Sequence, residues 1–173
     1  MPRNHPPAAL LIALVWQPRA SWHAVPLLRR MAAHVLRAEG FHAGHLSIAV
    51  VGARAMSSLH RRYRHEPGPT DVLTFDFGCD LARGWIDAEV VLCADVARRV
   101  AATRGGTLRA ARAELALYLV HGLLHLAGFS DDTPDAAERM HRREDELLRQ
   151  AGLGPVYDVR ARRRLVSQRR SPR

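Results

Sequence analysis

The chain has 173 residues, 47% hydrophobic and 25% charged, which indicates one soluble globular domain rather than a membrane-embedded or low-complexity protein. No apolar run reaches the ~20 residues needed to span a bilayer, and two cysteines, Cys79 and Cys93, without CxxC spacing fit a reducing cytoplasm rather than a disulfide framework. The formal charge is +9 and all 26 basic residues are arginine; seven of them fall in 160–173, where there is no acid, leaving +2 for residues 1–159.

The apolar stretch from Ala8 to Trp16 is short and lacks a small-residue cleavage signal behind it. Its centre, LLIALVWQ at 10–17, reads as a buried strand. From Ser21 to Glu39, Val25, Leu28, Met31, Ala32, Val35 and Leu36 recur at helical spacing, and Gly40 suits the stop. HLSIAVVG, 45–52, is a second strand, and residues 54–64 carry Met56, Leu59 and Tyr63 at helical spacing. HEPGPTD, 65–71, is a loop by its prolines and glycine; DVLTFDF, 71–77, and AEVVLC, 88–93, read as strands. Helices are expected over 95–102, 108–126 and 134–150, the last with Pro134 in its first turn and Thr133 as its cap. The order β-α-β-α-β-β-α-α-α predicts one α+β domain over residues 1–159, a small sheet packed with about five helices. Residues 160–173 form a basic tail expected to be disordered. That tail suits phosphate-backbone contact through Arg160, Arg162, Arg163, Arg164, Arg169 and Arg170, or merely solvates an arginine-rich chain.

HGLLHLAGFSDD, 121–132, carries the chemistry. His121 and His125, at i and i+4, lie on one helix face and can grip one ion. Gly128 is placed to end that helix and bring a third ligand round. Position 131, where a third histidine is familiar, holds Asp131, with Asp132 behind it. Zinc peptidases of the H-E-x-x-H type use the Glu beside the first His as general base; here Gly122 stands there, which argues against ordinary peptidase chemistry.

HGLLHLAGF is similar to the H-G-x-L-H-L-x-G-[YF] signature of the YbeY family, the bacterial metal-dependent endoribonucleases and rRNA maturation factors. LHRRYRHEPGPTDVLTFDF, 59–77, resembles that family's L-N-x-x-Y-R-x-x-x-x-P-T-D-V-L-S-F-x-F segment, and AEVVLC its G-D-I-V-I-C strand. The resemblance covers about residues 45–150. It implies a compact α+β domain with a small mixed sheet and a metal in a cleft, at the end of a helix. It implies cleavage of single-stranded RNA, and action on ribosomal RNA and the small ribosomal subunit in 3′-end maturation and quality control. It carries the metal ligands to His121 and His125 and a catalytic arginine to Arg64. The family's third histidine falls on Asp131. Carboxylate is an accepted zinc ligand, and one divalent ion is expected, Zn²⁺, with Mn²⁺ or Fe²⁺ as alternatives that suit a harder oxygen ligand. Asp132 serves after a one-residue shift, and His141 is a remote candidate better read as solvated. His60 and His65 read as surface residues, with His65 also able to line the cleft. Cys79 and Cys93 read as small buried apolar side chains. Two other classes stay open: a non-catalytic ribosome-assembly factor with a weakened metal site, and a metallohydrolase of another substrate. Nothing in the sequence sets the oligomeric state.

Overall fold

Hydrophobic alternation and periodicity build the observed elements in chain order. The computed structural model describes residues 9–18 and 22–154. Among them are β1 (Leu10–Trp16), α1 (Val25–Ala38), β2 (Ala43–Val51), α2 (Ala53–Arg64) and β3 (Val72–Asp76). A 3-10 turn (Leu81–Arg83) leads to β4 (Trp85–Cys93), and α3 (Ala94–Ala102), α4 (Leu108–Leu126) and α5 (Pro134–Gln150) follow. The strands form one mixed sheet in the order β1-β2-β4-β3. β1 and β4 run parallel to β2, and β3 runs antiparallel to β4, Val72 facing Leu92 and Asp76 facing Ala88. Parallel neighbours need a crossover; α1 supplies the first, and α2 with β3 the second.

The strand at 10–17 is not buried on both faces as expected. It lies at the sheet edge and alternates: Leu11 and Val15 are 60% and 56% exposed, while Leu10, Ile12, Leu14 and Trp16 pack inward. An edge strand in a sheet covered mainly on one side has one solvated face, whatever its composition. The helix expected from Ser21 starts at Val25, with Pro26 in its first turn.

α4 holds the domain together. It is apolar almost all round, and that composition suits a helix surrounded by protein. Leu115, Leu119, Val120, Leu123 and Leu124 are fully buried, and the helix packs on α1, α3, α5, β3 and β4. Thr107 caps its start by accepting from Ala110 N at 3.1 Å, and Thr133 does the same for α5 from Ala136 N at 3.2 Å. Gly122 marks where α4 comes closest to the sheet. A Cβ there would meet Thr74 Oγ1 at 3.1 Å, Val72 Cγ2 at 3.2 Å and Val90 Cγ1 at 3.3 Å. A larger residue beside His121 would have to push these three side chains aside, so a glutamate of the peptidase type would be tight in its place. A smaller core of Val51, Met56, Leu73, Val91 and Cys93 lies under α2 on the other sheet face. Among the described residues no helix is long and apolar enough to cross a membrane.

Candidate metal centre

The site grows out of the end of α4. His121 and His125 project from one face, their rings 4.5 Å apart and nearly perpendicular. Gly128 takes φ 89°, a left-handed conformation that glycine adopts without a Cβ clash. Gly128 N donates to His125 O at 3.0 Å and Phe129 N to Leu124 O at 2.9 Å, closing the helix in a Schellman-type turn. The turn folds the Phe129 carbonyl back to within 3.1 Å of His125 Nδ1 and carries the chain on to Asp131.

These contacts fix which ring nitrogens face the site. The Phe129 carbonyl can only accept, so His125 Nδ1 donates. His121 Nδ1 lies 2.7 Å from Glu144 Oε1, and a carboxylate likewise accepts. In the neutral imidazoles both Nε2 atoms then carry bare lone pairs, and these two atoms face each other 3.0 Å apart. Two bare nitrogens at that distance suit a shared cation: tetrahedral bonds of ~2.0–2.1 Å place two ligand nitrogens roughly 3.3 Å apart. Asp131 Oδ1 stands 3.8 Å from His125 Nε2, and one ligand atom from each of His121, His125 and Asp131 fits within a 4.8 Å group. The donor set therefore fits one divalent ion with room for water or substrate.

Glu144, on α5, supports the cluster. It is 1% exposed and accepts from two histidines, His121 through Oε1 and His141 through Oε2 at 2.9 Å. Burial raises its carboxyl, but these two partners outweigh it, and the pKa falls below the usual glutamate value. Burial pulls His121 down, yet the hydrogen bond and charge of Glu144, with Asp131 and Asp71 behind it, leave it raised. A carboxylate behind a metal-facing imidazole sets the tautomer and makes the free nitrogen a better ligand.

The other expected residues fall as follows. Asp132 is turned away: its Oδ2 accepts from Ser130 Oγ at 2.6 Å, and it is outside the ligand group. His141 is not solvated; its side chain is 16% exposed and committed to Glu144. His60 is not a surface residue either, because its Nδ1 lies 3.0 Å from Gly68 O and pins the 65–71 loop. His65 is exposed and caps α2 at φ 60°. Arg64, the last residue of α2, is exposed; neither it nor His65 lines the cleft beside His121. Cys93 is buried, while Cys79 is half-buried, its thiol pushed up to about 11 by burial. Arg160, Arg162, Arg163, Arg164, Arg169 and Arg170 lie outside the described residues.

The cleft itself, of about 530 Å³, runs from the cluster past Asp71 and Thr70 at the end of the 65–71 loop. It continues to Arg104, Glu114 and Tyr118. Sequence reasoning missed Glu144 and Glu114, although each left a signal. Glu144 sits on the apolar stripe of α5 between Met140 and Leu147, and Glu114 stands beside buried Ala111 and Leu115. An acid on a buried stripe needs a partner.

An α+β domain with two histidines and a carboxylate gathered at the end of a buried helix has the architecture of a metal-binding protein. The chain belongs to the YbeY family: the family model described as Endoribonuclease YbeY matches residues 21–152. Relatives described by the same words are found in Anaeromyxobacter sp. (strain Fw109-5), 41% identical over 73% of this chain and 64% of the relative, and in Methylibium petroleiphilum, 32% identical over 87% and 97%. The chain thus spans a little under two thirds of the Anaeromyxobacter relative, and 41% of one from Myxococcus xanthus. The solution structure of TM1509 from Thermotoga maritima superposes with a TM-score of 0.56 over 86% of this chain and 96% of that one; at 22% identity it supports the fold alone.

Proposed function

We propose that this protein is a metal-dependent endoribonuclease that cuts single-stranded RNA, with one divalent ion held by His121, His125 and Asp131. The observation that carries it is the pair of Nε2 atoms 3.0 Å apart, each aimed by a partner on its Nδ1, with a carboxylate beside them. Its relatives are described as endoribonucleases, and Gly122 leaves the site without the general base of a peptidase. The ion, when bound, supplies a Lewis acid and a water of lowered pKa. Glu144 and the Phe129 carbonyl hold the two imidazoles in place, and Asp131 adds a hard oxygen ligand suited to Zn²⁺, Mn²⁺ or Fe²⁺. Arg64, exposed at the end of α2, is assigned the charge that grows on the phosphoryl oxygens as RNA lies across the 65–71 loop. Arg64 meets the phosphoryl group with substrate in place, since catalytic contacts often tighten only in the substrate complex. Ribosomal RNA of the small subunit, processed at its 3′ end in the cytoplasm, is the proposed target.

The test is metal analysis of the full chain purified without chelator, with cleavage of a labelled single-stranded RNA. One ion per chain and cutting that both vanish in His125→Ala are expected. Arg64→Lys should then slow the single-turnover step by on the order of a hundredfold while affinity changes little. Metal-loaded protein that binds RNA but cuts it under no divalent ion would overturn the nuclease reading in favour of an RNA-binding assembly factor.

A further inference from the structure

The sheet face under α2 carries a second cavity, which the metal centre does not use. It measures about 520 Å³ and is lined by Leu59 and Tyr63 of α2, by Phe75 and Phe77 at the end of β3, and by Glu89 and Val91 of β4. Folding leaves two of its aromatic rings wet: Tyr63 is 50% and Phe77 63% exposed. Tyr63 is nevertheless held in place. Its ring meets Phe75 edge to face at 4.9 Å, and the Arg62 guanidinium lies 5.6 Å from its centre.

The charge at the rim narrows what can lie there. α2 carries Arg54, Arg61, Arg62 and Arg64 and no acid. Ser58, which also lines the cavity, and Arg62 are four residues apart, as are Leu59 and Tyr63, so Arg62 flanks the opening. A polyanion complements that rim, and a flat heterocycle complements exposed aromatic rings. A single-stranded nucleic acid offers both on neighbouring groups. Glu89, cross-strand from Phe75, is the one acid among the described lining residues. Its carboxylate only accepts hydrogen bonds, so it suits the exocyclic amino group of adenine, cytosine or guanine and opposes the two carbonyls of uracil.

The cavity and α4, which bears His121 and His125, lie on opposite faces of β3, the last strand of the sheet. Along β3, Val72 and Thr74 approach Gly122 of α4, whereas Leu73 and Phe75 pack under α2. The 65–71 loop leads from the end of α2 to Thr70 and Asp71 in the metal cleft, so an RNA strand that crosses the loop meets both places. We infer that the cavity under α2 takes one unpaired, amino-bearing base of the RNA, stacked on Tyr63 and Phe77 with Arg62 at its phosphate, and so holds the strand where it passes to His121, His125 and Asp131. This assignment rests on the ribonuclease reading above.

The experiment steps a single abasic residue along a short single-stranded RNA and measures its half-saturating concentration with the Zn²⁺-loaded full chain. For a protein that binds without cutting, the dissociation constant takes its place. At one position the missing base should weaken wild-type binding by roughly tenfold, the scale of one base–aromatic stack. In Phe77→Leu, a change at an exposed ring, that penalty should vanish at that position while the others persist. If Phe77→Leu does not fold, Tyr63→Leu decides by the same measure. At the same position uracil should bind several-fold more weakly than adenine, and Glu89→Gln, which can donate as well as accept, should erase the difference. A wild type with no position whose penalty depends on these rings overturns the inference, as it would if the cavity served a protein partner. Uracil bound as tightly as adenine refutes the contact to Glu89. Wild type that shows the base pattern but cuts nothing sinks the ribonuclease reading and keeps the cavity assignment; wild type that cuts without the pattern sinks the cavity assignment alone; wild type that binds no RNA sinks both.

Discussion

Asp131 is the oxygen donor of the proposed ligand set and would set which ion the two histidines prefer. Its carboxylate reaches the ligand group, and that of Asp132 is held by Ser130. Asp131→Ala should abolish stoichiometric metal and Asp132→Ala should keep it; the reverse pattern in metal analysis would move the third ligand by one residue. Asp131→His should tighten zinc, because it adds a nitrogen ligand. Glu144 acts through His121. A glutamine there replaces one acceptor oxygen with an NH₂ group, so it cannot satisfy both His121 and His141, which the carboxylate does at 2.7 and 2.9 Å. Glu144→Gln should weaken zinc affinity by roughly 10–100-fold, as losses behind metal-bound histidines do. Competition against a chelating dye reads this directly, and unchanged affinity would make Glu144 a packing residue only.

Elements set where these side chains can stand. α4 lies so close to β3 and β4 at Gly122 that any larger side chain would press on Val72, Thr74 and Val90. Gly122→Glu should destabilise the fold by about 3 kcal/mol or more, since it overpacks the contact and buries a charge. A denaturant midpoint equal to that of wild type would show that helix and sheet can part there. At the other end of β3, Asp76 Oδ1 accepts from Gly78 N at 2.9 Å and Cys79 N at 2.8 Å. The Cys79 bond is the largest cause of a pKa below the ordinary 3.8, against a smaller opposing effect of burial. A lowered folded value means that the charged form adds stability above the unfolded pKa and loses it as pH falls through the folded one. Asp76→Asn keeps the turn-forming side chain without the charge. The stability gap between wild type and this variant should be present at pH 5–6 and shrink as pH falls below the ordinary value of 3.8. A gap that is constant with pH would refute the linkage.

At the scale of the molecule, charge is divided between a nearly neutral domain and residues 160–173, which hold seven arginines. The family match ends at residue 152 and the described residues at 154, so this segment lies beyond both. Deleting it should leave the fold intact, weaken RNA affinity and lower the slope of log affinity against log salt by several units, on a scale of about 0.7 per phosphate contact for single strands. An unchanged slope would leave the arginines as bystanders.

What the sequence determined by itself was local. The bounds of α4 and α5 were legible in the chain, with Gly128 behind α4 and Thr133 and Pro134 at the start of α5, and the histidine pair followed from i, i+4 spacing on α4. Both depend on a few successive residues, so one chain suffices to read them. What only the tertiary structure decided depends on segments far apart in sequence. β1 became a half-exposed edge because of where it sits in the sheet, and Gly122 acquired its meaning from Val72, Thr74 and Val90 on two strands. Glu144 lies 23 residues beyond His121 yet aims its ring, and Arg104 and Glu114 meet across the α3–α4 turn to form the cleft wall. A polar side chain buried by folding must find its partner wherever the fold brings one, and spacing along the chain does not encode where that is.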